Sequence, residues 1–246
     1  MKNTIFTGAG VAIITPMLAD GTVDYEGLGR NIDFQIENGT DAIIICGTTG
    51  ESSTLEDDEH RQCIRFAVDH THNRVPVIAG TGSNDTKYAI ELSQEAQELG
   101  ADGLLIVTPY YNKTTQRGLV AHYNAIADSV DLPIILYNVP SRTGVGFDVS
   151  TVEALAEHKN IAAIKEASGN IGYTAKVAAK CGDKIDIYSG NDDMIVPIMS
   201  LGGKGVISVL SNVLPKETHQ MTQYCLENNF AAASELQLKY LRLIND

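Results

Sequence analysis

The residue of this sequence with the most chemistry open to it is a lysine inside an apolar run. Lys165 stands in Ile161-Ala-Ala-Ile-Lys-Glu-Ala-Ser168, a strand-like segment that puts Ala163 and Ala167 on the lysine's own face and leaves room around its ammonium. A water-poor interior favours the neutral amine. A neutral amine attacks a ketone to give a carbinolamine and then an imine, which serves as an electron sink. The same position also suits a lysine paired with a carboxylate inside the fold, because structural networks bury lysines too. Position alone leaves both readings open. Other lysines fit the nucleophile role badly: Lys184 and Lys204 precede strands, and Lys87, Lys176 and Lys180 fall on predicted helices.

Three neighbouring segments bear on the choice. Tyr137 ends Ile134-Ile-Leu-Tyr-Asn138 on the strand expected beside that of Lys165, and its phenol can relay the protons that imine chemistry moves. Taken alone, it reads equally as a core tyrosine with a satisfied hydroxyl. Gly47-Thr-Thr-Gly-Glu51 offers backbone N–H groups with the Thr48 and Thr49 hydroxyls, a cradle for a carboxylate, although turns of this kind are also Gly- and Thr-rich for geometry alone. Arg142, in Pro140-Ser-Arg-Thr-Gly144, can hold a second carboxylate bidentately or stand as a solvated loop arginine.

The elements that must position these groups repeat regularly. Eight short apolar runs are each followed by an amphipathic stretch, the pattern of βα units around a parallel sheet. The predicted strands are Val11–Thr15, Ala42–Gly47, Val75–Ala79, Gly103–Thr108, Pro133–Asn138, Ile161–Lys165, Ile185–Ser189 and Val206–Val209. Leu28, Ile32, Phe34 and Ile36 mark the apolar face of the first helix. Thr54 and the capping box Ser150-Thr-Val-Glu153 read as helix starts; Gly39, Gly100 and Gly182 read as stops. Eight similar units without a G-x-G-x-x-G fingerprint favour a (β/α)8 TIM barrel over an open doubly wound sheet. The barrel is expected over 1–228, with an eighth helix from about Lys216 to Asn228 and the start of a C-terminal helical region over 229–246. Active sites of such barrels gather at strand C-termini. The polar residues there are Thr15, Thr48, Thr49, Glu51, Tyr110, Tyr111, Tyr137, Arg142, Lys165, Gly190 and Asn191.

Bulk properties narrow the partners. The 246 residues carry a net charge of −13, a field that repels nucleic acid and anionic membranes and obliges any anionic substrate to be captured by local donors. No apolar run approaches bilayer-spanning length and no signal peptide is evident, so the cytoplasm is the expected compartment. The four cysteines, Cys46, Cys63, Cys181 and Cys225, form no C-x-x-C pair and are expected as free core thiols. Among the six histidines only His70-Thr-His72 is clustered, and it reads as an exposed helix end, so no metal site is expected.

Together these segments resemble the pyruvate-dependent class I aldolases, and among them the dihydrodipicolinate synthases. The resemblance runs through Gly8-Ala-Gly-Val-Ala-Ile-Ile-Thr-Pro16, Gly47-Thr-Thr-Gly-Glu51, Val77-Ile-Ala-Gly-Thr-Gly82, Thr108-Pro-Tyr-Tyr-Asn112, Tyr137-Asn-Val-Pro-Ser-Arg-Thr-Gly144, Ile164-Lys-Glu-Ala-Ser-Gly-Asn170 and Gly202 to Val209. It implies that Lys165 forms an imine with pyruvate and that Thr48, Tyr137 and Tyr111 form a hydroxyl relay, with Tyr111 supplied by a neighbouring subunit of a homodimer or homotetramer. It further implies that Arg142 binds the carboxylate of L-aspartate 4-semialdehyde and helps to position Tyr137. The Thr48 and Thr49 region would hold the pyruvate carboxylate, and Gly190 and Ile207 would supply pocket backbone. No cofactor is implied, and the product would be 4-hydroxy-tetrahydrodipicolinate, feeding lysine and diaminopimelate synthesis.

Two departures accompany the resemblance. Lysine-inhibited members carry histidine and glutamate at the positions of Asp57 and Tyr88, although Ser52, His60, Asn84 and Tyr110 would suit a lysine site. Lysine feedback is therefore expected to be weak or absent. Family members also continue with further C-terminal helices beyond the position of Asp246, so the extension reads as truncated. Sibling imine-forming enzymes, N-acetylneuraminate lyase and the 2-keto-3-deoxy sugar acid aldolases, share the lysine and tyrosine, while the Thr48-Thr49 pair with Arg142 favours the synthase. A catalytically weak pyruvate-binding barrel and a barrel whose motif residues are all structural are the remaining alternatives.

Overall fold

In the computed structural model, residues 4–245 are described; Asp246, at the end of the expected extension, lies outside them. The strands β1 (Gly8–Ala12), β2 (Ala42–Ile45), β3 (Val77–Gly80), β4 (Gly103–Val107), β5 (Ile134–Asn138), β6 (Ile161–Glu166), β7 (Asp186–Ser189) and β8 (Gly205–Ser208) close in chain order into a parallel barrel. The (β/α)8 architecture is the one expected. Between strands run the helices α1 (Tyr25–Glu37), α2 (Asp57–Thr71), α3 (Thr86–Glu98), α4 (Gln116–Asp128), α5 (Pro140–Thr143), α6 (Val149–Leu155), α7 (Ile171–Cys181) and α8 (Ile195–Ser200), followed by α9 (Pro215–Leu226) and α10 (Phe230–Asn245).

Strand alternation sorts the side chains into two layers. Along β2, Ala42 and Ile44 face the barrel interior with Ile78, Leu105, Ile135, Ala163 and Ile207, whereas Ile43 and Ile45 pack outward under the helices. Phe6 enters the interior from the N-terminal side, stacked on Tyr188 with ring centroids 4.4 Å apart, and its carbonyl accepts the Tyr188 hydroxyl at 2.6 Å. The ring closes between β1 and β8, where Gly8 pairs with Gly205. A Cβ on Gly205 would collide with the Gly8 carbonyl, so this seam requires a residue without a side chain.

Several local expectations are corrected. The first strand lies earlier than Val11–Thr15, because pairing of Gly8–Val11 with β8 sets its start, while Thr15 belongs to the loop after it. α2 begins beyond Thr54: Glu56 and Glu59 form a reciprocal capping box, and Thr54 ends a short 3-10 turn whose hydroxyl donates to the Glu51 carbonyl at 2.9 Å. The Ser150–Glu153 box is absent, because α6 has already started at Val149 after Asp148. Gly39 and Gly100 follow helices with φ of 88° and 89°, as helix stops do, but Gly182 ends α7 at an ordinary φ of −66°. Leu28 and Ile32 are buried while Phe34 is 42% exposed, which takes it off the apolar face. His70 is not a free helix end: it stacks on Phe66, and its Nε2 lies 2.9 Å from Asp33.

α10 packs on α9 and α8 through Ala233 and Gln237, whose side chain accepts the Val196 N–H and donates to the Asp193 carbonyl; Leu238 and Leu243 remain exposed. Among the described residues no helix is long and apolar enough to cross a membrane. All four cysteines are buried.

Candidate active site

The register of β5 and β6 builds the centre of the site. Tyr137 is the cross-strand partner of Lys165, and the next pair is Asn138 with Glu166. Glu166 is buried, yet both its oxygens are used: one accepts the Asn138 amide at 2.7 Å, the other the Ser168 N–H at 2.7 Å. Burial raises its carboxyl pKa, and these bonds oppose the rise. A satisfied buried carboxylate of this kind holds the ends of the two strands in register. Tyr137 and Lys165 consequently emerge side by side, Nζ lying 4.3 Å from the tyrosine ring centroid.

Lys165 is 5% exposed, among Ala163, Ala167, Tyr188 and Ile207 of the interior layer. Desolvation drives its pKa down to about 8; the charge of Asp192 opposes the shift and that of Arg142 adds to it. Among the described residues no carboxylate lies within ion-pair distance of Nζ, so the Asp192 charge acts on the lysine from farther off. Gly190 makes room for the lysine: a Cβ there would lie 2.7 Å from the Ala167 Cβ and 3.1 Å from the Lys165 Cε. Its N–H donates to the Glu166 carbonyl at 2.7 Å.

Beside Tyr137 opens a cavity of about 610 Å³ whose walls also include Thr48 and Arg142. Burial raises the Tyr137 pKa, against which the Arg142 charge and a hydrogen bond with the Thr48 side chain act to lower it. The Thr48 turn is shaped by Cys46 and Glu51 at φ of 54° and 57°, and the buried Thr15 hydroxyl fastens it by donating to the Gly50 carbonyl at 2.7 Å. Arg142 is carried by α5, a single turn opened by Pro140. That turn is anchored by Thr143, which accepts the Thr108 hydroxyl at 3.0 Å and donates to the Val145 carbonyl at 2.7 Å.

The structure thus brings Lys165, Tyr137, Thr48, Arg142, Gly190 and Ile207 to one end of the barrel. Thr49 is half-buried beside Thr48 and, like Lys165, Gly190 and Ile207, does not line the cavity. Tyr111 is 91% exposed, with a φ of 68°, and does not line its own chain's cavity. The cavity continues past Ser52, Asp57, His60, Tyr88 and Tyr110. There the Tyr88 hydroxyl donates to Asp57 at 2.5 Å, and burial, reinforced by that bond, pushes the Tyr88 pKa up to about 12. Asn84 reaches the same loop through the Tyr110 carbonyl at 3.2 Å. Sequence reasoning missed Glu166, Asn138 and Asp192. Their acidic or amide character next to strand ends was visible, but the burial of Glu166, of Asn138 and of one Asp192 oxygen was not. Among the described residues no group of His, Cys, Asp and Glu side chains converges as a metal site.

The match to known proteins follows this geometry. The family model described as the dihydrodipicolinate synthetase family matches residues 5–246. This chain belongs to the dihydrodipicolinate synthetase family. It is 60% identical over 242 residues to a 4-hydroxy-tetrahydrodipicolinate synthase of Lachnoclostridium phytofermentans, covering 98% of this chain and 82% of that protein. Solved structures of the family agree in fold. The dihydrodipicolinate synthase of Aquifex aeolicus superposes with a TM-score of 0.95 at 48% identity, over 98% of this chain and 82% of that one. A pyruvate complex of the Acinetobacter baumannii enzyme superposes with a TM-score of 0.96 at 45% identity, over 98% and 83%. The family chains are therefore longer than the one described here.

Proposed function

We propose that the chain condenses pyruvate with L-aspartate 4-semialdehyde through a Lys165 imine to give 4-hydroxy-tetrahydrodipicolinate, in lysine and diaminopimelate biosynthesis. The observation that carries this reading is the pairing of a buried, deprotonatable Lys165 with Tyr137, a wall residue of the cavity that Thr48 and Arg142 also line. The relatives bearing the synthase name, and the pyruvate held by the Acinetobacter baumannii enzyme, support the choice of substrates.

In the proposed sequence the neutral Lys165 amine attacks the pyruvate carbonyl, and the carbinolamine loses water to leave a protonated imine. Tyr137 and Thr48 move the protons for dehydration and for loss of a methyl proton, which yields the enamine. The nucleophilic enamine carbon then attacks the aldehyde, and the amino group of that substrate displaces Lys165 as the ring closes. Thr48 and Thr49 hold the pyruvate carboxylate with hydroxyl and backbone donors, and Gly190 and Ile207 wall the pocket. Arg142 takes the carboxylate of the semialdehyde. This local capture offsets the repulsion that a net charge of −13 exerts on anionic substrates. The relay is completed by Tyr111 of the partner subunit in a cytoplasmic homodimer or homotetramer, consistent with an exposed tyrosine that does not line its own cavity. Every step uses side-chain acid–base chemistry and needs no cofactor.

Borohydride in the presence of pyruvate should leave a reduced adduct on Lys165, located by peptide mass mapping. An active protein without that adduct would refute the mechanism. A coupled assay offering pyruvate with the semialdehyde or with sugar aldehydes separates the synthase from the sibling aldolases.

A further inference from the structure

Asp192 lies just beyond the strand-end residues to which the chemistry was first assigned. It follows Gly190 and Asn191 after β7 and opens a 3-10 turn over Asp192–Met194. Its Oδ2 accepts the backbone N–H groups of Val209 at 3.0 Å and Leu210 at 2.9 Å, immediately after β8, and the Ser208 side chain adds a hydrogen bond. Its Oδ1 is buried and has no hydrogen-bond partner among the described residues. A buried carboxylate oxygen without a donor is costly, and a fold keeps one where its charge has a use. The turn that carries Asp192 abuts Lys165: two residues earlier, a Cβ on Gly190 would lie 3.1 Å from the Lys165 Cε, and the charges of Asp192 and Lys165 act on each other. Arg142, Tyr137 and Tyr188 are the other titratable groups around the lysine, and the Tyr188 hydroxyl is engaged by the Phe6 carbonyl.

We propose that Asp192 is a positioning residue that supplies the counter-charge for the cation on Lys165: one oxygen is fixed by the β8 turn, while the other, unpartnered, stabilises the protonated imine through space. The inference rests on the proposed Lys165 imine. Below the pKa of Lys165 both the free lysine and its protonated imine are cations. Imine formation there leaves the charge unchanged and is nearly indifferent to Asp192. Above that pKa the free lysine is neutral, imine formation takes up a proton and creates a cation, and the carboxylate favours the product.

The test is the pH dependence of pyruvate affinity in Asp192→Asn, read from the concentration of pyruvate that half-saturates borohydride trapping. Asparagine retains an oxygen for the Val209 and Leu210 N–H groups, so the turn keeps its anchor. We expect pyruvate affinity about tenfold weaker than wild type at pH 9, equivalent to one pKa unit, and within about twofold of wild type at pH 6. Asp192→Glu, which keeps the charge, should recover most of the loss at pH 9. Equal loss at both pH values, or no loss at either, would overturn the proposal and leave Asp192 an anchor of the β8 turn. Should Asp192→Asn fail to fold, the folded wild type answers in its place. The 13C carboxyl signal of Asp192 must then shift as Lys165 titrates near pH 8, and a signal that does not move overturns the coupling. Absence of any adduct on Lys165 in the active wild type would instead sink the imine itself, which keeps the two failures apart.

Discussion

Tyr137 and Lys165 are register partners across β5 and β6, and the lysine Nζ sits 4.3 Å from the centre of the tyrosine ring. The contact places an amine that burial has brought to a pKa of about 8 beside a phenol that burial has pushed the other way. Near neutral pH the lysine is therefore within reach of its neutral form while the phenol keeps its proton. That pairing suits a nucleophile and its acid–base partner.

Lys165→Met should abolish the borohydride adduct and stabilise the fold. Lysine is a base whose folded pKa, about 8, is depressed below the ordinary 10.5. Its burial therefore costs stability in full below pH 8, and the cost fades as pH rises towards 10.5. Removing the charge should raise stability at pH 7 by on the order of 3 kcal/mol and leave it nearly unchanged above pH 10.5. Urea denaturation at the two pH values checks both parts.

Tyr137→Phe keeps the ring over Lys165 and removes only the hydroxyl that meets Thr48. Turnover should fall by about 10²–10⁴-fold, with stability changed by about 1 kcal/mol or less. Steady-state kinetics beside a thermal melt distinguishes a lost proton relay from a damaged fold.

Added lysine should leave turnover essentially unchanged. The resemblance implies histidine and glutamate at the positions of Asp57 and Tyr88 in lysine-inhibited members, whereas here Tyr88 donates to Asp57 at 2.5 Å. A carboxylate already engaged by a phenol competes poorly for a ligand ammonium. A turnover assay across a lysine titration decides the matter, and inhibition at micromolar lysine would refute it.

His122 should impose acid sensitivity. Its Nδ1 meets the Thr86 hydroxyl at 2.8 Å, its Nε2 is buried without a partner among the described residues, and burial lowers its pKa to about 4. In the unfolded chain it titrates near 6.5 and so binds a proton that the folded state refuses. Stability should fall between pH 6.5 and 4 by on the order of 3 kcal/mol from this residue. In His122→Gln that component of the pH dependence should vanish from denaturation curves taken across the range.

Much of the site was legible because strand positions are periodic. Lys165 in an alanine-flanked strand, Tyr137 at the end of the preceding one and the Thr48 turn could each be placed without coordinates. Boundaries were less legible where tertiary pairing decides them, as at β1, whose start is set by Gly205, and at α2, where Glu56 displaces Thr54 as the cap. Burial was illegible in the loops. Asp192 and Asp193 are adjacent acids in sequence, yet Asp193 is exposed while Asp192 is drawn into the barrel mouth by two N–H groups of the chain after β8.

Residue types and their spacing by themselves determined the repeating βα units, a lysine on an inward strand face and the set of hydroxyls able to serve it, because local periodicity dictates which side of an element faces the core. Only the closed barrel decided that Tyr137 and Lys165 would share a register, that Gly190 would clear space against the lysine, and that Tyr111 would stand outside its own cavity. These are relations between segments far apart in the chain. They are settled by how eight strands pair and by what each buried polar group must find as a partner, which no single segment encodes.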